Sequence, residues 1–383
     1  GFKTRSITNF SAPLTITMEN AALTLDQVTV SSNRIGVITK KSPVDVGVID
    51  DEMIESAGAV CLSESINFQS GVRLETDCQT CNYTQVWMNG LGGGYTQILV
   101  NSRPIFGSLM GLYGLEQFPT NWIDRIEVIR GGGSAIYGSG AIGGVINIIP
   151  KTPKDNYYNV KTQIRNIDGQ SWENNSSASM TISKKNTAFS IFANRRQREE
   201  YDANGDGFSE LPRILGHSIG TKAFIRPIKA LTVNIDALFL NEERNGGDQL
   251  DLIPHLREQA EQRTSNALLT TLDATYELTA QHQFRLFGGG QWMDRKHYTG
   301  FYLSDGYGTT DNQTFQAGFQ YNWKIPEIFN RGKGVLTAGV ELKYDDILDQ
   351  HEAHNYELVQ ITTQSGTSVQ FDGTSFPALQ LPT

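Results

Sequence analysis

The sequence predicts a mainly β protein: a small α+β domain followed by antiparallel transmembrane β-barrel strands. Three observations carry that expectation. The 383 residues include 38 Gly, 18 Phe and 14 Tyr but only 38% hydrophobic residues, a balance that suits short strands and turns better than helices. From Tyr157 onward, apolar side chains fall on every second position over long segments. The connections between those segments alternate short and long, as in barrels that cross a membrane with turns on one side and loops on the other.

Several functional classes are excluded at this level. A net charge of -9 without any clustered Lys and Arg is wrong for nucleic acid, whose phosphates demand a basic face. There is no run of 18 or more apolar residues, which excludes a transmembrane helix but not a transmembrane barrel, whose strands need apolar residues only at alternate positions. No nucleophile, base and orienting group stand together at a recognisable spacing, so an enzyme is not expected. Gly1 is not preceded by a charged-then-apolar leader, and any signal peptide is expected upstream.

The elements follow in order. Residues 1–20 alternate weakly, with Leu14, Ile16 and Met18 against Thr15, Thr17 and Glu19, like the last strand of a small β domain. Residues 21–43 contain Leu25 to Val30, an alternating segment flanked by small polar residues. It reads either as an edge strand or linker, or as a strand that pairs with a partner. Residues 44–152 read as a compact α+β unit, with a helix near Cys61 to Gln69 and strands at Val44 to Ile49, Gln85 to Met88 and Gln97 to Val100. Two more strands, Ile123 to Ile129 and Val145 to Ile149, bracket a glycine-rich loop. Cys61 falls in the helical apolar stretch and reads as core.

Residues 153–383 carry the alternation. Leu231, Val233, Ile235, Ala237 and Phe239 oppose Thr232, Asn234 and Asp236, and Phe315, Ala317, Phe319, Tyr321 and Trp323 oppose Gln316, Gly318, Gln320 and Asn322. Brief turns are expected at Lys184 to Asn186, Ile228 to Lys229 and Thr279 to Gln281. Longer external loops are expected at Tyr201 to Pro212, Arg244 to Gln262 and Tyr298 to Thr310. Trp292, Tyr298, Tyr321 and Trp323 suit interfacial girdles. About ten or eleven strands are expected, roughly half of the 22 in the large plugged transporters.

The run from Ile126 through Gly131-Gly132-Gly133 and Tyr137-Gly138 to Val145-Ile146-Asn147-Ile148-Ile149 invites comparison with a phosphate-binding loop. It fails, because Ser139 and Gly140 follow Gly138 where Lys and then Ser or Thr are required. The run instead resembles the end of the plug domain of TonB-dependent outer-membrane receptors. The segment Cys78 to Leu91 and its continuation Tyr95 to Phe106 resemble a Bacteroidetes subgroup of these receptors assigned to haem or cobalamin uptake. Residues 1–20 are similar to the tail of the carboxypeptidase-regulatory-like domain that precedes such plugs.

The resemblance implies a plug at 44–152, the N-terminal half of a barrel at 153–383, and a TonB box at Asp26, Gln27, Val28, Thr29 and Val30. It also implies bacterial outer-membrane residence and import of a metal chelate, with haem or cobalamin ahead of a ferric siderophore. TonB with ExbB and ExbD, outer-membrane lipids and a surface lipoprotein are the partners implied. Contact with the ligand is expected at the plug apex, through Asn89, Tyr95, Phe106, Met110 and Tyr113, since aromatic and thioether groups suit a flat macrocycle.

Other readings stay open beside it. Copper or another bare metal is one cargo, and a calcium-dependent β binding module or adhesin is another class. Cys78 and Cys81 are expected to close a small disulfide loop in an oxidising compartment, with redox and metal-binding readings as alternatives. Asp202, Asn204, Asp206 and Glu210 offer oxygens at the spacing of a calcium loop, although Arg213 stands where a twelfth-position Glu is expected. An ordinary polar loop explains them equally well. His255 and His297 are expected in external loops, with His351 and His354 close to one; solvated histidines are commoner there than ligands.

Overall fold

The computed structural model describes residues 28–29, 37–38, 44–76, 84–104, 114–132, 137–153, 155–301, 304–326, 334–355, 358–363 and 366–371. Asp26, Gln27, Val30, Cys78, Cys81, Phe106, Met110 and Tyr113 lie outside the described residues, as do residues 1–20 and the side chain of His354. Within them, β1 (Val28–Thr29) pairs antiparallel with β2 (Val37–Ile38).

The plug comprises β3 (Val46–Asp50), α1 (Asp51–Ser56), α2 (Leu62–Ile66), β4 (Val72–Thr76), β5 (Thr84–Met88), β6 (Thr96–Val100), β7 (Ile123–Arg130) and β8 (Gly144–Pro150). Its main sheet has the order β3-β7-β8-β6, with only β6 and β8 parallel, and β4 and β5 form a hairpin beside it. The α1 helix and the β4 strand are not expected from the sequence. α1 starts where Asp50 accepts a hydrogen bond from Met53 N at 3.0 Å, and Asp51 and Glu52 in its first turn complement the helix dipole. α2 is shorter than the expected Cys61 to Gln69. Cys61 is extended, with φ -138, and the chain turns at Gln69 by a bond to Ile66 O.

Leu62, Ile66, Phe118, Ile126 and Ile146 are fully buried between the helices and the sheet. β8 is buried on both faces, which is why it reads as a continuous apolar run. Its exception, Asn147, accepts from Ser102 N at 2.7 Å and donates to Ser102 Oγ at 3.1 Å. It thereby holds the turn in which Asn101 and Ser102 adopt positive φ.

After the plug come β9 (Tyr157–Ile167), β10 (Ser171–Lys184), β11 (Thr187–Arg198), β12 (Arg213–Ile228), β13 (Leu231–Gly247), β14 (Gln259–Glu277), β15 (His282–Phe301), β16 (Ser304–Ile325) and β17 (Gly334–Asn355). They form one nine-stranded antiparallel sheet in sequence order. β18 (Leu358–Thr363) and β19 (Gly366–Phe371) make a separate hairpin, so the expected ten or eleven wall strands are nine among the described residues.

The expected loop Tyr298 to Thr310 is paired strand almost throughout, with Tyr298 opposite Tyr307. β15 and β16 have 20 and 22 residues, about twice what a membrane crossing needs, so the hairpin continues beyond the membrane. Beyond the membrane a strand need not alternate apolar and polar residues, and a Gly-rich strand without that alternation reads as loop. The expected loop Arg244 to Gln262 likewise shrinks to residues 248–258, between the end of β13 and the start of β14. His297 therefore lies on a strand.

The outer face of the wall is apolar along its middle, with Ile182, Phe189, Ile219, Ile235, Phe239, Leu272, Leu286 and Phe319 all exposed. Trp292 stands exposed at one edge of this band. At the other, Tyr321 and Trp323 stack on His282 with centroids 6.0 Å away. Tyr298 departs from the girdle expectation: it is buried under His255, which meets it edge-on at 4.0 Å. A straight polar row that includes Arg195, His217, Asn241, Asn266 and Asp294 crosses the outer face next to Trp292. Asn241 donates to Asn266 at 2.8 Å, and Asn266 to Asp294 at 3.2 Å. An apolar band bounded by aromatic and polar rows is the lipid-facing surface of an outer-membrane barrel wall.

Candidate functional site

Direct register across the wall sorts its inward side chains into rows. The row nearest the long loops that runs across all nine strands contains Arg165, Glu173, Arg198, Arg244, Arg263, His297 and His351. The row beneath it contains Arg196, Glu242, Arg295 and Asp349. The next two rows bring together Phe192, Leu238, Leu240, Ala267, Leu269 and Met293, all buried. Below these, Lys222 meets Asp236 at 3.3 Å.

The plug answers each level. Against the arginine rows it sets two carboxylates, Glu64 from α2 and Glu116 from the turn Gly114–Glu116. Glu64 takes Arg165 at 2.8 Å and Arg196 at 3.6 Å, while Glu173 of the wall takes Arg196 at 2.6 Å. Glu116 takes Arg244 at 2.7 Å, Arg244 takes Glu242 at 2.7 Å, and Gln117 donates to Glu242 at 3.4 Å. Against the apolar rows it sets Phe118 and Trp122, with Trp122 and Phe192 at 6.5 Å between centroids. Lys222 donates to Pro150 O at 3.4 Å. On the far side of the plug sheet, Arg103 lies 3.5 Å from Asp273 and 3.4 Å from the centroid of the Phe287 ring.

Burial alone would raise the Glu116 pKa, but Arg244, Arg196, Arg198 and the Thr84 hydroxyl outweigh it and hold the carboxyl at about 2. Glu64 is lowered in the same way, its burial outweighed first by the hydrogen bond from Arg165 and then by the charge of Arg196. Cys61, fully enclosed, is pushed up to about 11 by burial, so its thiol stays protonated and inert at neutral pH.

Sequence reasoning misses this seam. None of Glu64, Glu116, Arg165, Arg196 or Arg244 stands in a motif. The available signal is charge at alternate positions of a strand, as in Arg196-Gln197-Arg198 and Glu242-Glu243-Arg244, on the face opposite the lipid-facing residues.

Of the expected ligand-contact residues, the described ones are Asn89 and Tyr95. Asn89 and Gly90, both at positive φ, form a two-residue turn closed by bonds between Met88 and Leu91. Tyr95 is half exposed, and its carbonyl accepts from Gly143 N at 2.8 Å. They share the end of β5 and β6 opposite Thr84, whose hydroxyl donates to Glu116. They are thus not brought to the arginine rows.

Asp202, Asp206 and Glu210 place carboxylate oxygens within 4.8 Å of one another. Asp202 accepts from the N–H groups of Gly205 and Gly207 at 2.7 Å, Asp206 from Phe208, and Glu210 from Ala203. Slight burial works against ionisation of Asp202, and these backbone donors more than offset it, lowering its pKa. Val28 and Thr29 of the expected TonB box are in the β1–β2 pairing.

A small α+β domain held by ion pairs inside the polar face of a lipid-facing sheet defines a class, the plugged outer-membrane β-barrels. Within it, residues 39–145 match the family described as TonB-dependent Receptor Plug Domain. The chain is 29% identical to the vitamin B12 transporter BtuB of Vibrio cholerae over 146 residues, which are 38% of this chain and 24% of that one. It is 38% identical to the ferric enterobactin receptor PirA of Pseudomonas aeruginosa over 119 residues, 28% of this chain and 16% of that one. The fold matches the unliganded ferric citrate transporter FecA with a TM-score of 0.68 at 14% identity, over 86% of this chain and 51% of FecA. The chain thus spans about half of that solved structure and a quarter or less of the curated relatives. These relatives are transporters and receptors by name.

Proposed function

We propose that this chain is the plug and first barrel strands of a TonB-dependent outer-membrane receptor that imports a scarce metal chelate. The observation that carries the reading is the seam. The plug is anchored to the wall through a limited set of directional ion pairs, most of them nearly buried, and through an apolar patch around Trp122, contacts that a pull along the barrel axis would break in sequence. A core packed wholly of apolar groups would resist such a pull far more.

Cobalamin or haem is the cargo favoured by the resemblance to the Bacteroidetes subgroup, and a ferric siderophore comes next. The names of the relatives favour cobalamin and ferric enterobactin over haem. The apex ligand contacts are assigned to Phe106, Met110 and Tyr113, without the expected Asn89 and Tyr95, which stand at the end of β5 and β6 away from the arginine rows; a disulfide is assigned to Cys78 and Cys81. TonB, driven by ExbB and ExbD, would take Asp26 to Val30 by strand addition, which supplies main-chain hydrogen bonds without a preformed pocket. A surface lipoprotein would cover the outer mouth. The test is binding of cobalamin, haem and ferric siderophores, measured in parallel on the complete receptor. Saturable binding of one is expected, and binding of none overturns the reading.

A second reading concerns the Asp202 loop, where three carboxylates converge. It would bind calcium and so order the external loop between β11 and β12. Millimolar calcium is expected to raise the melting temperature and to lose that effect in Asp202→Asn. Absence of any calcium response rejects it.

A further inference from the structure

Beyond the plug seam, the inner faces of β15, β16 and β17 hold a pair of imidazoles that the transport reading does not use. His297 and His351 stand in one row on either side of Gly308. Residues two strands apart are separated by roughly 10 Å at the backbone, so their side chains meet only if the strand between them offers no side chain.

β16 offers none here. A Cβ at Gly308 would lie 2.1 Å from His297 Cε1 and 2.3 Å from Nε2. A Cβ at Gly306 would lie 2.5 Å from His351 Cε1 and 2.9 Å from Nε2. Each ring therefore lies down over a glycine, and the two approach to 5.8 Å between centroids with planes 6° from parallel. Two glycines at successive inward positions weaken a strand, and such glycines commonly mark a close approach by another group. His297 Nδ1 is also buried without a hydrogen-bond partner. A buried polar atom left unpaired is unfavourable unless something else satisfies it.

We propose that His297 and His351 form a two-imidazole site on the luminal wall for a divalent transition-metal ion of the copper, nickel and zinc class. Imidazole nitrogen suits that class, whereas magnesium and calcium take oxygen. An ion needs nitrogen ligands at about 2.1 Å with each lone pair in its ring plane, so at least one of these near-parallel rings turns about its side-chain torsions when the ion binds. Asp349, two residues before His351 on the same face, accepts from the Thr310 hydroxyl and lies 3.8 Å from Arg295. Its charge is thus near the ion but already committed, which leaves the remaining coordination positions to water. The site differs in chemistry from the all-oxygen Asp202 loop and is independent of which chelate the receptor carries.

The test is a titration of the complete receptor, in detergent, with Cu2+ alone, read by electron paramagnetic resonance. One bound ion with nitrogen hyperfine structure from two imidazoles is expected. His297→Gln and His351→Gln should each weaken binding tenfold or more. Gly308→Ala, which displaces the His297 ring, should do the same, while His255→Gln leaves binding unchanged. Heat-modifiable migration in gels checks that each variant is folded. Binding unchanged in the folded double variant His297→Gln/His351→Gln, a spectrum showing oxygen donors only, or no bound copper in the unmodified receptor would each overturn the assignment.

Discussion

At the scale of single residues, the plug places polar side chains where each has an identifiable task. Asn147 interrupts the apolar run of β8 because the Asn101–Ser102 turn needs its amide. Asn147→Leu should therefore destabilise the plug by about 2–3 kcal/mol, seen as a lower melting temperature, although it makes the strand more apolar. Gly144 is a second such position. It adopts φ +154, and a Cβ there would lie 2.0 Å from Met88 Sδ and 2.4 Å from Ile129 O. Glu116 ties the plug to the wall, and its folded pKa of about 2 lies below the ordinary 4.5. A depressed carboxylate pKa stabilises the folded state fully above the ordinary value and is lost as pH falls through the folded one. Protease protection of the plug should thus weaken between about pH 4.5 and 2, and Glu116→Gln should flatten that acid limb while lowering protection at neutral pH.

At the scale of elements, the wall strands lengthen from 11 residues in β9 to 22 in β17, and alternation gives each strand a lipid face and a plug face. Leu238 and Leu240 break the simple division of apolar outside and polar inside. They face inward and are buried, joining the plug core around Trp122. Leu240→Ala should loosen plug docking by about 2–4 kcal/mol. A matched truncation on the outer face, Phe239→Ala, should leave docking unchanged. Limited proteolysis of the plug separates the two, and equal effects would show that the inward apolar rows do not hold it.

At the scale of the whole molecule, the proposed transport reading requires that a plug so anchored be released. The Arg165–Glu64 pair is about a third exposed, the Arg196–Glu173 and Arg244–Glu116 pairs are nearly buried, and all lie towards the end of the wall near the long loops. On the proposed reading, deletion of residues 26–30 is expected to abolish energy-coupled uptake while leaving ligand binding at its original strength. Uptake by the deleted form would remove the TonB handle from that segment.

Much of this architecture was legible in the sequence, for reasons local to the chain. Alternation fixes which face of a strand meets lipid, and the glycine-rich signature from Ile126 to Ile149 marks the end of the plug, because each depends on residues close in sequence. The β15–β16 hairpin was not legible, since a polar strand beyond the membrane has the composition of a loop and only its ladder of hydrogen bonds distinguishes it. The seam was not legible either. Glu116 and Arg244, or His297 and His351, become neighbours only when strand register places them in rows, and register is a property of the assembled sheet. Sequence by itself therefore determined the kind of surface each segment presents, and the tertiary structure alone decided which charges and imidazoles meet.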